Sequence, residues 1–573
     1  MPGTFVHELD TPLYKGKISV NTGLFINGQF VDPIDKETIE VHNPTTGKLL
    51  TKVAVASAKD VDVAVKAARH AYKTVWGQKV PAYERGRLLN KLADLIEKHF
   101  DELTALEALD AGKPHSGAKW DIDATIHNFR YYAGWTDKNS GKTMEASIPI
   151  DETKFAYTRH EPIGVCGLIV PWNFPLLITS WKFAPALACG NSIILKPSEV
   201  TPLSALKLAE LAHEAGFPPG VVNVLPGLGS VTGQAMSEHS GIGKISFTGS
   251  TLVGRKIMET AAKTNLKRVT LELGGKSPTI IFNDADLEQA VKWAIGGIFM
   301  HNGQVCAAGS RIFVQEGIYE EFLKHFVGAS QSLTHGDNFD PSVFQGPLVS
   351  KGHMERVLSY IEAGKKEGAT LLTGGARLEK DGYYIQPTIF TDVKPDMKIV
   401  KEEIFGPVAV VVKFKDEDDA IEQANNTVYG LSSNLFTSDI SRALRVAHAI
   451  EAGSTYINQT GVPDFQVSFG GIKESGFGKD MGEHALEKQS MSTLAGNYEP
   501  DNQHIHYQHT MYLWITFVPM LASGEFILDI FRKDKHRKHP KVRVLNASAV
   551  CRQPYLAAGW QGFGPDISDI FQI

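Results

Sequence analysis

The chain has 573 residues, 43% of them hydrophobic, and a formal net charge of -6 at pH 7. This length exceeds what one ordinary hydrophobic core supports, so we expect a large soluble protein with two or three packed units. The lysines and arginines are dispersed along the chain, which excludes a large-scale electrostatic footprint for nucleic acid and favours a small-molecule partner.

Cysteine usage and the N-terminus indicate the compartment. The four cysteines are too few for a disulfide framework and form no C-x-x-C pair, which fits a reducing environment. Residues 1–20 lack both the apolar core of a secretory signal and the arginine-rich, acid-poor character of a transit peptide. We therefore expect a cytoplasmic protein, and no metal site is expected.

Alternating strands and helices predict a first lobe. A strand over 164–170 precedes Pro171-Trp172-Asn173-Phe174-Pro175, whose asparagine can donate an amide N–H to a developing oxyanion; a proline-bounded turn with an asparagine cap explains the segment equally well. Further strands are predicted over 192–196, 221–225, 244–247 and 268–273, with helices over 202–215 and 251–263. This order is typical of a parallel sheet covered by helices.

The helix over 202–215 carries its own boundary signals. Thr201 can cap its first turn, Pro202 fits the first helical position, and Gly216 can adopt the left-handed conformation that ends it.

The same alternation returns after residue 306. Strands are predicted over 311–315, 408–414, 432–436 and 454–458, and helices over 416–426 and 439–450. The chain should therefore fold as two α/β lobes. Cys306 lies near their junction, where a cleft can hold a cofactor on one side and a substrate on the other.

Cys306 stands in the glycine-bounded segment His301-Asn302-Gly303-Gln304-Val305-Cys306-Ala307-Ala308-Gly309. A lone cysteine is usually a small buried hydrophobe, and we interpret Cys166 and Cys189 in that way. The flanking glycines argue against a plain core position for Cys306 and favour a nucleophile.

A carboxylate that could serve as its base follows a predicted strand. Strand alternation sends Val269, Leu271 and Leu273 to one face and Thr270 and Glu272 to the other. Glu272 ends the strand before two glycines, where ligands collect in a parallel sheet. A surface ion pair is the alternative, but beside the cysteine segment a nucleophile with its base is favoured, as covalent acyl chemistry followed by hydrolysis requires.

Nucleotide signals accompany these segments. Phe247-Thr248-Gly249-Ser250-Thr251-Leu252-Val253-Gly254 reads as a strand, a glycine turn and a helix start that can face a phosphate, although an ordinary helix start remains open. Gly227-Leu228-Gly229-Ser230-Val231-Thr232-Gly233 is a weaker signal. In Lys196-Pro197-Ser198-Glu199, the glutamate can accept from both ribose hydroxyls and would repel a 2′-phosphate, which favours NAD over NADP; a surface turn is the alternative.

The chain resembles the NAD(P)-dependent aldehyde dehydrogenases over about residues 23–485. The motifs that carry the resemblance are Pro171-Trp172-Asn173-Phe174, Lys196-Pro197-Ser198-Glu199, Phe247-Thr248-Gly249-Ser250-Thr251, Leu271-Glu272-Leu273-Gly274-Gly275-Lys276, Gly303-Gln304-Val305-Cys306, Glu402-Glu403-Ile404-Phe405-Gly406-Pro407 and Phe469-Gly470-Gly471-Ile472-Lys473. The resemblance implies oxidation of an aldehyde to a carboxylic acid with NAD. Cys306 would be the nucleophile, Glu272 the activator of water, Asn173 with the Cys306 N–H the oxyanion hole, and Lys182 a proton-transfer residue.

The resemblance also implies the residues that line the cleft. Those expected to hold the cofactor are Trp172, Lys196, Ser198, Glu199, Gly229, Gly249, Ser250, Gly254, Glu403 and Phe405. Those expected to form an apolar tunnel are Phe174, Leu177, Trp181, Phe299 and Phe469. Such a tunnel suits short or medium aliphatic and aromatic aldehydes without fixing one.

The implied architecture has a Rossmann-type NAD-binding domain (12–142 and 163–274), a bridging β-hairpin (143–162), a catalytic domain (275–474) and a return segment (475–487). In the family this hairpin and a strand near the C-terminus build homodimers and homotetramers, so we expect such an assembly, weakened if the tail is genuine.

Residues 488–573 depart from the family pattern, and a gene-model or splicing artefact is one hypothesis for them. The aromatic, apolar run 511–518 is too short for a membrane span, which needs about 20 apolar residues, and a basic run follows over 532–543. A disordered or non-native extension is favoured over an interfacial anchor, and no membrane partner is expected.

Three alternative functions fit parts of this pattern. An acylating relative that passes the acyl group to coenzyme A is disfavoured by Glu272. A cofactor-free cysteine hydrolase needs a partnered base, and His301 is the only histidine close to Cys306 in sequence. A non-catalytic descendant would have lost the thiol or the carboxylate, and both are present.

Overall fold

The computed structural model describes residues 3–144, 156–461 and 464–495. The strands are β1 (Thr4–Asp10), β2 (Lys15–Asn21), β3 (Leu24–Ile26), β4 (Gln29–Val31), β5 (Thr38–His42), β6 (Leu49–Ala54), β7 (Thr143–Met144), β8 (Ala156–Pro162), β9 (Val165–Ile169), β10 (Ser192–Lys196), β11 (Val222–Val224), β12 (Lys244–Thr248), β13 (Arg268–Glu272), β14 (Pro278–Ile281), β15 (Arg311–Gln315), β16 (Thr370–Thr373), β17 (Thr388–Thr391), β18 (Val408–Phe414), β19 (Ser432–Phe436), β20 (Ser454–Ile457), β21 (Gly476–Phe477) and β22 (Ser490–Ala495).

The α-helices are α1 (Ala58–Thr74), α2 (Ala82–Lys98), α3 (Phe100–Ala111), α4 (His115–Trp135), α5 (Pro175–Ala188), α6 (Leu203–Ala215), α7 (Gln234–Glu238), α8 (Thr251–Lys263), α9 (Leu287–Phe299), α10 (Tyr319–Gln331), α11 (Lys351–Glu367), α12 (Lys398–Lys401), α13 (Glu417–Asn425), α14 (Ile440–Ala449) and α15 (His484–Gln489).

The first lobe is built on an eight-stranded sheet in the order β21-β13-β12-β9-β10-β11-β3-β4. Its central strands β9 to β13 run parallel. Both faces are covered: Ile193 and Leu195 pack in one hydrophobic cluster with α2 to α6, whereas Ile194 packs in another with α1. Burial on both faces explains the continuous apolar runs of these strands.

Strand register brings the functional segments to one edge of this sheet. Lys196 pairs with Ile169, and Thr248 pairs with Glu272. The segments that follow β9, β10, β12 and β13 therefore leave the same carboxyl edge, where ligands bind in open α/β sheets.

The second lobe is built on a seven-stranded sheet in the order β16-β17-β18-β15-β14-β19-β20, in which the strands from β17 to β20 run parallel and β16 is antiparallel. Helices α9 and α10 cover one face and α13 and α14 the other. The prediction of two α/β lobes with parallel sheets is confirmed.

The start of helix α6 is capped by a different residue from the one predicted. Helix α6 begins at Leu203, not at Pro202, and the Thr201 hydroxyl has no hydrogen-bond partner in the described chain. Instead, the Leu203 N–H donates to Asp110 Oδ2 at 2.9 Å. A carboxylate from α3 therefore caps α6, whereas Gly216 ends it in the predicted left-handed conformation, with φ of 96°.

Strand β22 lies inside the segment that the sequence assigns to an atypical tail. It pairs antiparallel with β8 over residues 490–495, and β8 also pairs with β7. Local pattern carries no signal for β22, because its stabilising edge is supplied by a strand more than 300 residues earlier in the chain. Residues 145–155 of the predicted hairpin and residues 496–573 of the tail lie outside the described residues.

Residues 3–144, 156–461 and 464–495 contain no helix whose length and apolarity would let it cross a bilayer. In those same ranges, histidine, cysteine, aspartate and glutamate side chains form no cluster suited to a metal ion.

Candidate active site

The loop before Cys306 has an uncommon backbone conformation. His301, Asn302 and Gly303 are left-handed in succession, with φ of 49°, 55° and 67°. A Cβ at Gly303 would collide with the Gly406 carbonyl group, so glycine is required there. Left-handed residues other than glycine persist only where the surroundings hold them, and they concentrate at functional sites. The loop leaves Cys306 half-buried, as a nucleophile needs.

The two glycine-bounded segments meet in the structure. A Cβ at Gly275 would collide with the Cys306 carbonyl oxygen, and a Cβ at Gly274 with the Glu403 carboxylate. The Gly275 N–H donates to Glu403 Oε1 at 3.0 Å. The glycines therefore let the segment after Glu272 touch both the cysteine loop and a second carboxylate.

The Cys306 thiol is neutral at pH 7 in the free protein. Burial raises its pKa to about 12, and the Glu403 and Glu272 carboxylates raise it further, whereas hydrogen bonds from the Ala307 N–H and from its own N–H lower it. Since the thiolate is the nucleophile, a base or a positive charge must act on this sulfur before attack.

Glu272 is buried, with 4% of its surface exposed. Burial raises its pKa well above the usual value and the Asp480 carboxylate adds to this, whereas Lys182 and Lys479 lower the pKa. No described side chain donates a hydrogen bond to either carboxylate oxygen. The carboxylate can therefore take a proton from a thiol or from water.

A buried ion pair lies beside this carboxylate. Lys182 Nζ is 2.6 Å from Asp480 Oδ2 and 3.3 Å from Ser246 Oγ, which also accepts from Thr270 Oγ1 at 3.1 Å. Thr270 is on the strand face predicted to carry Glu272, whereas Leu271 packs in the opposite hydrophobic cluster. Asp480 was not predicted as a site residue. Its Gly478-Lys479-Asp480 segment has no periodic signal, and its partner Lys182 is 298 residues away in the chain.

Asn173 links the end of β9 to the cysteine loop. Its Nδ2 donates to the Gln304 carbonyl oxygen at 2.9 Å, and Gln304 Oε1 accepts from the Val349 N–H at 2.9 Å. An asparagine amide has two N–H donors. The second N–H of Asn173 is therefore available to the oxygen of a substrate whose carbon is attacked by the thiol.

Four predicted tunnel residues belong to one hydrophobic cluster or pack against it. Leu177, Trp181 and Phe469 are buried in the hydrophobic cluster against which Phe174 and Cys306 pack. The Trp181 and Phe469 rings are 5.6 Å apart between centroids. Phe174, Leu177, Trp181 and Phe469, here called the apolar wall, therefore share one hydrophobic cluster with Cys306.

Phe299 is not part of this wall, which corrects its predicted position. It is fully buried in the core of the second lobe and its ring stacks on Phe326 at 5.8 Å. Helix α9 ends at this residue, and the next one, Met300, is 48% exposed. At the end of a helix, adjacent residues can point in different directions, one to the core and the next to solvent. Apolar periodicity does not fix the residue at which the helix ends.

Lys196 and Glu199 form the predicted pair at the end of β10. The buried Lys196 Nζ donates to Glu199 Oε2 at 3.1 Å and to the Pro197 carbonyl at 2.9 Å. Burial lowers the Lys196 pKa, whereas Glu199 raises it. The buried Ser198 lies between them, and its Oγ accepts from the Val200 N–H at 3.4 Å.

The predicted phosphate segment starts a helix. Ser250 Oγ accepts from the Val253 N–H at 3.4 Å, after the half-buried Gly249. A Cβ at Gly254 would lie 2.7 Å from Leu273, so glycine lets α8 approach the end of β13. A Cβ at the exposed Gly229 would meet nothing within 4 Å.

The other predicted cofactor residues come from both lobes: Trp172 follows β9 of the first, and Glu403 and Phe405 precede β18 of the second. The Trp172 and Phe405 rings are 5.2 Å apart, and His353 packs 5.0 Å from Trp172. Burial lowers the His353 pKa to about 4, so this neutral ring can donate from Nε2 to the Phe405 carbonyl at 2.7 Å. Burial raises the Glu403 pKa to about 7, against the Gly275 N–H, which lowers it. The sequence carries no signal for His353.

Comparisons with known proteins point to one family. Residues 30–493 match the model of the aldehyde dehydrogenase family. An aldehyde dehydrogenase of Agaricus bisporus is 56% identical over 487 residues, which are 85% of this chain and 97% of the relative. Retinal dehydrogenase 2 of Homo sapiens is 50% identical over 488 residues, covering 85% and 93%.

Solved structures give the same result. An NAD+ complex of an aldehyde dehydrogenase from Bacillus cereus has a TM-score of 0.81 and 48% identity, covering 83% of this chain and 97% of that chain. Betaine aldehyde dehydrogenase from Staphylococcus aureus in complex with NAD+ has a TM-score of 0.82 and 38% identity, covering 85% and 97%.

Proposed function

The chain belongs to the aldehyde dehydrogenase family and is an NAD-dependent enzyme that oxidises aldehydes, and we propose that Cys306 and Glu272 perform the reaction. The observation that carries the proposal is the meeting of the two glycine-bounded segments. Gly275 lies against the Cys306 carbonyl group, and the Glu272 carboxylate is close enough to raise the Cys306 pKa.

Glu272 first takes the thiol proton. Burial raises the pKa values of both Cys306 and Glu272, which makes the carboxylate a stronger base than a solvated one. The Cys306 sulfur then attacks the aldehyde carbon and forms a thiohemiacetal. Asn173 Nδ2 and the Cys306 N–H donate to the oxygen as it becomes negative.

NAD, when bound, supplies the acceptor for the hydride that leaves the aldehyde carbon. The acyl group then remains on Cys306 as a thioester. Once the thiol proton has left Glu272, the carboxylate takes a proton from water, which attacks the thioester and releases the carboxylic acid and the Cys306 thiolate. Lys182 and Asp480 form the buried charge pair that sets the protonation of Glu272 and can carry its proton away.

One orphaned hydroxyl group at the end of β12 supports the proposal that a dinucleotide binds there. Thr248 Oγ1 is buried and without a hydrogen-bond partner in the part of the chain that the structure describes, directly before the glycine turn. The residues that would hold the cofactor are Trp172, Lys196, Ser198, Glu199, Gly229, Gly249, Ser250, Gly254, Glu403 and Phe405. Glu199 would accept from the ribose hydroxyls and repel a 2′-phosphate, which supports preference for NAD over NADP.

The substrate class follows from the apolar wall. We assign Phe174, Leu177, Trp181 and Phe469 to it, and their aromatic and aliphatic surfaces suit short or medium aliphatic and aromatic aldehydes.

Aldehyde turnover tests these roles. A panel of aldehydes is assayed by NADH formation, with NADP in parallel. Cys306→Ala should abolish turnover while cofactor binding persists. Glu272→Gln should leave a first burst of NADH and slow the later turnovers by about 10²–10⁴-fold, the usual contribution of a general base. Robust oxidation by the cysteine variant, or acyl-coenzyme A as the product of the wild-type enzyme, would overturn the assignment.

The remaining sequence predictions stay proposals. The sheets support division into the NAD-binding (12–142 and 163–274), bridging (143–162) and catalytic (275–474) parts. We propose a cytoplasmic homodimer or homotetramer; β22 is an edge of the described three-stranded sheet and can pair with another copy. Native mass spectrometry of protein from its natural source would test the assembly and whether peptides beyond residue 488 exist.

A further inference from the structure

The buried Lys113 is outside the proposed catalytic group and contacts Phe174 of the apolar wall. Lys113 follows Gly112, whose left-handed conformation, with φ of 72°, ends α3 and turns the chain inward. Gly117, in the first turn of α4, leaves space for the lysine stem, since a Cβ there would lie 3.2 Å from Lys113 Cγ. Only 2% of the Lys113 surface is exposed.

The ammonium group of this lysine has an ion-pair partner and an aromatic partner, and its charge also lowers the pKa of the buried Glu107 carboxyl group. Lys113 Nζ is ion-paired with Asp121 of α4, which is also buried, and it lies 3.8 Å above the centre of the Phe174 ring. A cation over the face of an aromatic ring is attracted by the ring quadrupole, and the attraction is strongest where water is excluded.

The Phe174 ring is held from a second side. The His301 ring packs against it edge-on at a centroid distance of 5.6 Å. Burial and the Lys113 charge both lower the pKa of His301 well below its ordinary value, so it is neutral. The stack of Lys113, Phe174 and His301 therefore joins the turn between α3 and α4, the Asn173 segment and the Cys306 loop.

We propose that Lys113 is a specificity-determining residue for aldehyde oxidation, which fixes the orientation of the Phe174 ring in the wall of the substrate site. This inference rests on the proposed function, since Phe174 matters to specificity only if aldehydes bind beside Cys306. Lys113 touches no reacting atom and acts through the ring, so it is a positioning residue.

Loss of the Lys113 charge should lower the selectivity for aromatic over short aliphatic aldehydes. An aldehyde with an aromatic ring contacts the wall over a large area, whereas acetaldehyde contacts little of it. When the Phe174 ring is no longer fixed, kcat/KM for benzaldehyde should fall about tenfold relative to kcat/KM for acetaldehyde, which is equivalent to about 1.4 kcal/mol. The effect should be in KM for benzaldehyde, with kcat for acetaldehyde unchanged.

The first test removes the ion pair as a whole. Lys113→Met with Asp121→Asn deletes both charges of the ion pair, retains the nearby buried Glu107, and leaves similar volumes; replacing a buried ion pair as a whole is often tolerated in protein interiors. The relative kcat/KM of the two aldehydes is measured in this double variant, in Phe174→Leu and in their combination. If Lys113 acts through the ring, the charge deletion has no further effect on selectivity in the Phe174→Leu background. Additive effects would overturn the proposal.

A second test keeps Lys113 and the fold intact. Replacement of Phe174 by phenylalanine analogues with increasing fluorination weakens and then inverts the ring quadrupole at nearly constant shape. Selectivity should fall stepwise with fluorination, and selectivity independent of fluorination would overturn the proposal even if the double variant does not fold. Oxidation of acetaldehyde by the wild-type enzyme is the control: its absence would contradict the proposed function, whereas unchanged selectivity in an active enzyme contradicts only the role of Lys113.

Discussion

The buried pair of Lys182 and Asp480 should set the pH at which Glu272 works. In the wild-type protein the two charges act on the Glu272 carboxylate in opposite directions, with Asp480 raising its pKa and Lys182 lowering it. Asp480→Asn leaves the lysine charge uncompensated and should lower the Glu272 pKa. Lys182→Met leaves the aspartate uncompensated and should raise it.

The sign of these shifts follows from the charge that remains. A single charge close to a buried carboxylate shifts its pKa strongly, so each variant should move the Glu272 pKa in the direction set by the charge that remains. Glu272 acts as a base only when ionised, that is, above its pKa. The acidic limb of the thioester hydrolysis profile should therefore move to lower pH in Asp480→Asn and to higher pH in Lys182→Met.

Rapid-quench measurement of acyl-enzyme decay across pH gives this limb directly. The lysine variant should also lose about 3–5 kcal/mol of unfolding free energy in urea titrations, because it leaves a charge buried and unpaired. The electrostatic reasoning would be refuted if the acidic limb moved in the same direction in both variants, or if it did not move in a folded variant.

Other predictions follow from single sites. Cys306→Ala should reduce turnover by at least about 10⁴-fold, whereas Cys189→Ala, at a buried thiol remote from the reaction, should remain active in the NADH assay. Glu199→Gln should raise KM for NAD about tenfold or more and reduce the preference over NADP, since a charged hydrogen bond to ribose is weakened; steady-state kinetics with both cofactors checks this. Gly364→Ala should destabilise the protein by about 1–3 kcal/mol, because a Cβ there would lie 2.8 Å from a buried isoleucine, whereas Gly352→Ala in the same helix meets nothing and should be neutral or stabilising in urea titrations.

Local patterns predicted much of the fold. The predicted strands 192–196 and 432–436 and the helix 251–263 have the same bounds in the structure, because apolar runs and boundary residues lie within the segments themselves. Helix α13 begins one residue after its predicted start, since Asp416 is its N-cap and accepts from the Asp419 N–H at 3.0 Å. Such signals act over one turn of chain.

The candidate site was partly predictable for the same reason. Glycines around Cys306 and after Glu272 marked both segments, and strand alternation placed the glutamate at a sheet edge. The sequence could not indicate that the Gly275 backbone would lie against Cys306, because this contact needs both lobes to be packed.

The amino-acid sequence by itself determined the alternating α/β elements, the two reactive groups and the kinship to the aldehyde dehydrogenases. Only the tertiary structure decided that Asp480 pairs with Lys182, that Lys113 lies over Phe174, that Asp110 caps α6 and that Phe299 is a core residue. These contacts join segments brought together by the packing of separate elements, or depend on which way a helix end turns. Periodicity and capping signals describe a segment's own backbone and carry no information about the partner that its side chains meet.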